Sequence, residues 1–363
     1  MEAGSLAWVL ISAALVLFMT PGLAFFYGGM DRSRNVLNML MMNFYCILIV
    51  PVVWVVVGYS LATGTNDFIG NFDKAFLDGV GIMSDNGAEI ATIAFLGMFA
   101  CITPALISGA VADRMKFSAW AIFVPVWLLL VYVPVFKWIY GGWLGVRGSL
   151  DFAGGTAIHV NAGIAALAAS GQAAQAFMNT FLAAAAAGLV WVIIERLRDG
   201  HATNLGAASG IVAGLVAITP AAGYVSGAAP LAIGAIAGAV CCYAVKIKMK
   251  AGFDDALDVV GVHFVGGLVG SLTIGFFANP DFFGGGFMEG IFYGGGPDLL
   301  IEQLIANAVT IVYAFVMTTL IMLALKATIG VRVSEEVEAS GLDQAEHAET
   351  AYHSGASAIG TTA

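Results

Sequence analysis

Two histidines, His159 and His263, are the only ones in the hydrophobic body of the chain; His201 lies in a polar connection, and His347 and His353 lie in an acidic tail. An ionisable side chain at membrane depth is costly and by default faces a cavity or a partner. For one such histidine, a structural hydrogen bond to a helix carbonyl is a sufficient account. Two of them, near the centres of related helices, have a further use. Imidazole donates through one nitrogen and accepts through the other, which suits a proton relay across a narrow passage. A metal would need a third ligand, and nothing in the pattern supplies one.

The other groups able to do chemistry are few. Asp151 opens the helix that carries His159, where its simplest role is an N-cap that also favours the helix dipole. Asp258 stands near the start of the helix bearing His263 and reads as a first-turn acid. Phe95 and Phe99 are one helical turn apart and so share a face, an arrangement that ordinary packing explains. The run "GGGFMEGIFYGGG" at 284–296 lacks the Gly-Lys-Ser/Thr ending of a phosphate loop and reads as an external loop. No nucleophile or cofactor motif accompanies the histidines, so an intramembrane enzyme is disfavoured.

These residues must be positioned by membrane helices. The chain has 363 residues, 60% of them hydrophobic and 10% charged, against roughly one-quarter charged in an ordinary soluble domain. Apolar runs long enough to cross a ~30 Å hydrocarbon core recur throughout. They fall at about 6–30, 36–62, 90–111, 118–140, somewhere in 152–194, 203–224, 227–246, 256–278 and 300–326. The fold expected is all-α, a polytopic bundle of about nine or ten membrane segments over residues 1–332. An acidic cytoplasmic tail follows over 333–363 and reads as solvated. The first helix has no basic n-region and reads as retained. Cys46, Cys101, Cys241 and Cys242 lie in apolar runs without metal-ligand spacing and read as buried helix residues. The net charge of −10 resides largely in the tail and points to no nucleic acid.

Charge sets the expected topology. Eleven Lys and Arg, from Arg32 to Arg332, lie at one kind of helix end, and only Lys74, Lys137 and Arg147 lie at the other. The positive-inside rule makes the first set cytoplasmic, with the N-terminus outside and the tail inside. The stretch 152–194 then admits a single crossing. Two would invert every later loop, and three would need ~60 residues where 43 exist.

Internal symmetry accounts for the shortfall. "ITPA" occurs at 102–105 and again at 218–221, each followed about 45 to 55 residues later by one of the two histidines. Such duplication marks inverted-repeat transporters. The first copy is preceded by two full helices and the second by barely one, so the second repeat reads as one helix short.

With these residues in place, the chain resembles the ammonium transporter family of bacterial, plant and Rhesus-type proteins. The resemblance is carried, in order, by "TPGLAFFYGGM", "VLNMLMMNF", "FACITPALISGA", "LDFAGGTAIHVNAG", "GLVAITPAAGYV" and "DVVGVHFVGG", and by the tail "VRVSEEVEASGLDQAEH". It implies a homotrimer in the lipid bilayer, with one pore per subunit and two inverted five-helix repeats plus a final helix. It makes His159 and His263 the twin pore histidines. Phe95 and Phe99 become the aromatic pair at the outer mouth, where a cation rests over ring faces, and Asp151 the acid beneath them. Tyr140 falls where the family usually carries a vestibule tryptophan. A PII-type signalling protein is the partner implied at the tail, and no cofactor is implied.

The resemblance also locates the departure. Between the histidine helix and the "AFMNT" helix, family members carry a basic loop and a further spanning helix. This chain passes almost directly from one to the other around Ala168–Gln172. The function expected is passage of ammonium or ammonia across the membrane; a sensor or regulatory subunit impaired in transport is the alternative that the short second repeat favours.

Overall fold

The computed structural model describes residues 3–80, 86–160, 171–252, 255–283 and 285–351. Among them the regular structure is helical, with one isolated bridge between Met115 and Arg332. Helix α1 is Ala3–Met30, α2 is Val36–Thr63, α3 is Asn86–Val111, and α4 spans 117–139. A short helix α5, Trp143–Val146, and a π-helical turn, Gly155–Val160, follow. Then come α6 (Gly171–Asp199), α7 (Asn204–Ile218), α8 (Ala229–Ala244), α9 (Val260–Phe277) and α10 (Asp298–Thr328), with α11 (Glu335–Ser340) and α12 (Leu342–His347) in the tail. Seven of the described helices are long and apolar enough to cross a membrane, and α7 and α8 are shorter apolar ones. The stretch 161–170, and with it most of the expected junction, lies outside the described residues.

Helices apolar around their whole circumference must meet lipid or protein on every side. Two large cores result. One gathers side chains of α1 to α4, with Trp54, Trp120 and Phe123 at its centre. The other joins α6 to α10 around Ala183, Ile218 and Ile233. Glycine permits the second. A Cβ at Gly214 or Gly234 would stand 2.5 Å or 2.2 Å from the carbonyl oxygen of Ala183, so only glycine lets α7 and α8 lie this close to α6. Helix α10 stays at the periphery, with Val312, Phe315 and Leu323 more than half exposed.

The helices are not regular throughout. Pro51 in α2 and Pro125 in α4 each precede a π-turn, Trp54–Gly58 and Leu128–Tyr132, by three residues. Proline lacks an N–H and crowds the carbonyl four residues back, so both helices lose a backbone bond in the turn before the proline and carry a widened turn after it.

The basic helix ends meet on one face through a chain of contacts. Arg32 pairs with Asp113, the N–H of Leu257 donates to the Gly109 carbonyl, Lys248 pairs with Asp258, and Lys246 and Arg198 share Asp199. The tail corrects one expectation: it is not simply solvated. Leu342 and Asp343 are buried, the Asp343 carboxylate accepts from the N–H of Asn38 at 2.8 Å, and the Leu342 N–H donates to Asn35. An acid-rich composition hid a leucine anchor and an aspartate that accepts from the Asn38 N–H in the first turn of α2. The four cysteines are free and buried, as their apolar settings require.

Candidate functional site

Both histidines belong to π-turns: His159 to Gly155–Val160 and His263 to Val260–Phe264. The two turns lie against one another. Single π-turns inside helices occur frequently at functional sites, because the extra residue re-aims a side chain. The His159 side chain is outside the described residues, and so is the contact expected between the two imidazoles.

His263 is 6% exposed. Its Nε2 lies 3.3 Å from the hydroxyl of Tyr27 on α1, and that hydroxyl donates to the carbonyl of Leu106 on α3, also at 3.3 Å. The phenolic hydroxyl therefore bridges the His263 ring and the Leu106 backbone. Gly109 admits this arrangement, since a Cβ there would stand 2.8 Å from the Tyr27 ring. Sequence reasoning missed Tyr27. Its stretch reads as plain apolar helix, and the contact spans 236 residues.

Each histidine turn is capped by an acid. One Asp151 oxygen accepts from the N–H of Gly154 at 2.8 Å, and the other accepts from Thr156 at 3.0 Å and Ala157 at 2.8 Å. This is the N-cap role expected of Asp151. Burial pushes its carboxyl up to about 7, against the pull of these N–H groups. At the second turn the capping acid is Asp255, whose two oxygens accept from Val259 at 2.9 Å and Val260 at 2.8 Å. Asp258 stands at the start of this helix, its backbone carbonyl accepting from the N–H of Val262, and its side chain takes no part in the cap. It adopts φ +60°, and its carboxylate lies 2.6 Å from the Lys248 ammonium. Burial raises the Asp255 carboxyl as well. The signal for Asp255 was present: Asp151 and Asp255 each precede their histidine by eight residues.

Beyond the first turn, Tyr140 is the C-cap residue of α4, its backbone N–H donating to the Phe136 carbonyl at 2.9 Å. Its ring lies 5.1 Å from that of Phe136. Phe95 and Phe99 are buried edge-to-face, with centroids 5.1 Å apart and planes at 89°. Their cluster includes Ile158, next to His159, and Tyr140 packs against it. Phe95 and Phe99 thus share a core cluster with Ile158, Tyr140 packs against that cluster, and Asp151 caps the turn that contains Ile158. Asp258 lies at the other turn, toward the basic face.

Gln303 of α10 ties the halves together. Its carbonyl oxygen accepts from the N–H of Leu150 at 2.8 Å, and its amide donates to the Leu150 carbonyl at 2.9 Å and to the Ser271 hydroxyl on α9 at 3.0 Å. Ser271 also meets Thr156, three residues before His159, at 3.1 Å. Among the described residues, no three His, Cys, Asp or Glu side chains gather in a way that would hold a metal ion.

Known proteins resemble this chain in sequence and in fold. The Ammonium Transporter Family profile matches residues 7–172 and 168–352, two blocks that meet where the chain is short. An ammonium transporter of Mycobacterium tuberculosis is 42% identical over 433 aligned positions, covering 97% of this chain and 90% of the relative. Amt1 of Archaeoglobus fulgidus is 36% identical over 400 positions, covering 97% of this chain and 100% of the relative. Both alignments are longer than the chain itself, so these relatives carry residues that it lacks. Among solved structures, Candida albicans Mep2 superimposes with a TM-score of 0.85 at 27% identity, covering 93% of this chain and 87% of Mep2. A structure titled sensor Amt protein gives 0.85 at 24% identity, a likeness of fold, over 94% of this chain and 98% of that one. With a profile match over nearly the whole chain and relatives above 40% identity, this chain belongs to the ammonium transporter family.

Proposed function

We propose that the chain carries ammonium across the membrane as ammonia and a separately relayed proton. The cation is recruited at the outer mouth, over the ring faces of Phe95 and Phe99 and beside Tyr140 and Asp151. It loses its proton there, and the neutral molecule passes along a hydrophobic route beside His159 and His263. Ammonium matches potassium in size but can surrender a proton; a passage that opposes charge therefore selects for it. The observation that carries this reading is a buried His263 held by Tyr27 inside a π-turn that abuts the turn of His159. Transport, rather than turnover of a substrate, agrees with the names of the relatives.

The proposed topology places the N-terminus outside and the tail in the cytoplasm. The proposed assembly is a homotrimer, with a PII-type protein as the partner of the tail. Uptake of labelled methylammonium by cells without other ammonium transporters tests the proposal. Uptake above the empty-vector level that falls in a His263→Ala variant is expected, and an absence of flux from a correctly inserted protein overturns it.

A second reading, a sensor that binds ammonium without conducting it, is favoured by the family match breaking into two blocks at 168–172. A helix lost from the second repeat removes one wall of the expected passage. Measured flux rules this reading out; saturable ammonium binding without flux supports it.

A further inference from the structure

Among the apolar residues of α10, the polar side chains of Gln303, Asn307 and Thr310 fall at helical spacing on one face. That face is turned to α9 and the His159 turn, and all three side chains are buried, Asn307 at 2% exposure and the other two at 0%. Polar side chains at membrane depth are expensive and by default serve a site. Their hydrogen bonds leave a remainder. The Ser271 hydroxyl oxygen accepts from the Gln303 amide at 3.0 Å and from the Asn307 amide at 2.8 Å. Both of its lone pairs are then used, so its own proton goes to the Thr156 hydroxyl, 3.1 Å away. The Asn307 amide is fixed in this orientation, because the same nitrogen donates to the Gln303 carbonyl at 2.6 Å. Its oxygen, Oδ1, then meets no donor among the described residues, and the Thr310 hydroxyl has no partner there either. Thr92, Thr103, Thr180 and Thr328 each donate to the carbonyl four residues back in their own helix. Thr310 forgoes that local bond.

We infer that Asn307 and Thr310, one helical turn apart, hold a small neutral molecule that both donates and accepts hydrogen bonds, water or ammonia, in a buried site between α9, α10 and the His159 turn. Asn307 Oδ1 accepts a proton from it, and the Thr310 hydroxyl completes its bonding as donor or acceptor. A buried polar group without a partner is costly, and one small molecule shared by two such groups is the common remedy. A cation does not suit the site. Its two oxygens are uncharged, and the carboxylate of Asp151, which caps the adjoining turn, is already turned to the N–H groups of Gly154, Thr156 and Ala157, so nothing there offsets the cost of a buried charge. The bound molecule extends the network that runs from Gln303 through Ser271 to Thr156, three residues before His159. It thereby fastens α10 to the histidine turn, whether or not the chain conducts.

The test is an experimental density map of the full-length protein, at a resolution that shows other enclosed waters, prepared with and without ammonium chloride. A peak at hydrogen-bond distance, about 2.7–3.2 Å, from both Asn307 Oδ1 and the Thr310 hydroxyl is expected. Its presence in both buffers assigns water, and its presence only with ammonium chloride assigns ammonia. Thr310→Ser keeps the hydroxyl and should keep the peak; Thr310→Val keeps the shape and should lose it. No peak in either buffer, or a direct hydrogen bond between Asn307 and Thr310 in its place, would overturn the inference. Thermal unfolding of the solubilised protein adds an independent sign. With the molecule bound, Thr310→Val removes one of its partners and lowers the midpoint by roughly 2 °C. Were the Thr310 hydroxyl unpartnered, valine would relieve a buried polar group and raise the midpoint, and that result too would overturn the inference.

Discussion

The hydroxyl of Tyr27 and the Nε2 atom of His263 lie 3.3 Å apart, joining the first helix to the ninth at the buried centre of the bundle. Because the same hydroxyl reaches the Leu106 carbonyl, Tyr27 sets the orientation of the imidazole as well as its partner. Tyr27→Phe removes one polar atom and keeps the ring. A buried hydrogen bond has a net worth of about 1 kcal/mol, so methylammonium uptake is expected to fall roughly fivefold while the amount of inserted protein stays level. Uptake equal to that of the parent chain would show that His263 is oriented without Tyr27.

The acids that precede the histidines are expected to separate by role. Asp255 caps the His263 turn through two N–H groups, whereas Asp258 meets Lys248 near the surface. Loss of an N-cap costs about 1 kcal/mol, and a partly exposed ion pair costs less. In thermal unfolding of the solubilised protein, Asp255→Ala should therefore lower the midpoint more than Asp258→Ala. The reverse order would give the stabilising role to Asp258 instead.

Gln303 offers a third test. Replacing it with Leu strands the N–H and carbonyl of Leu150, next to Asp151, and removes a donor from Ser271. Each buried polar group left without a partner costs about 1–3 kcal/mol. Gln303→Leu should be among the most destabilising single changes in α10. A melting temperature in Gln303→Leu matching that of a lipid-facing control such as Phe315→Leu would refute the bridging role.

What could be read from sequence follows the range of the interaction responsible. Apolar runs mark helices locally, so the spanning segments fell within a few residues of those observed, and a short connection at 168–172 was visible as a failure of charge alternation. Asp151 was legible because capping is local. Tyr27 was not, since nothing within its own helix distinguishes it from a packing aromatic. Asp255 was passed over for an acid closer to His263, because the left-handed residue at Asp258 that bends the chain into capping position leaves no mark in composition. Leu342 was hidden by the acidic residues around it.

The tail supplies a pH dependence. The Nε2 of His347 lies 3.0 Å from the Asn38 side-chain oxygen, and its ring is edge-on to Phe117 at 5.1 Å. Burial holds its pKa below the usual 6.5, although Glu346, Asp343 and Glu349 pull it upward. A base with a depressed pKa in the docked state contributes docking stability in full above pH 6.5, and the contribution is lost as pH falls through the docked value. Asp31, on the same face, acts in the opposite sense: burial lifts its carboxyl to about 6, so protonating it on acidification relieves a cost. The two are separated by His347→Gln, which retains a donor for Asn38 and does not titrate. Hydrogen-exchange protection over residues 335–347, taken relative to the intrinsic exchange rate at each pH, should fall in the parent chain between pH 7 and pH 5 and fall less, or rise, in His347→Gln. Parallel profiles in the two proteins would remove His347 as the source.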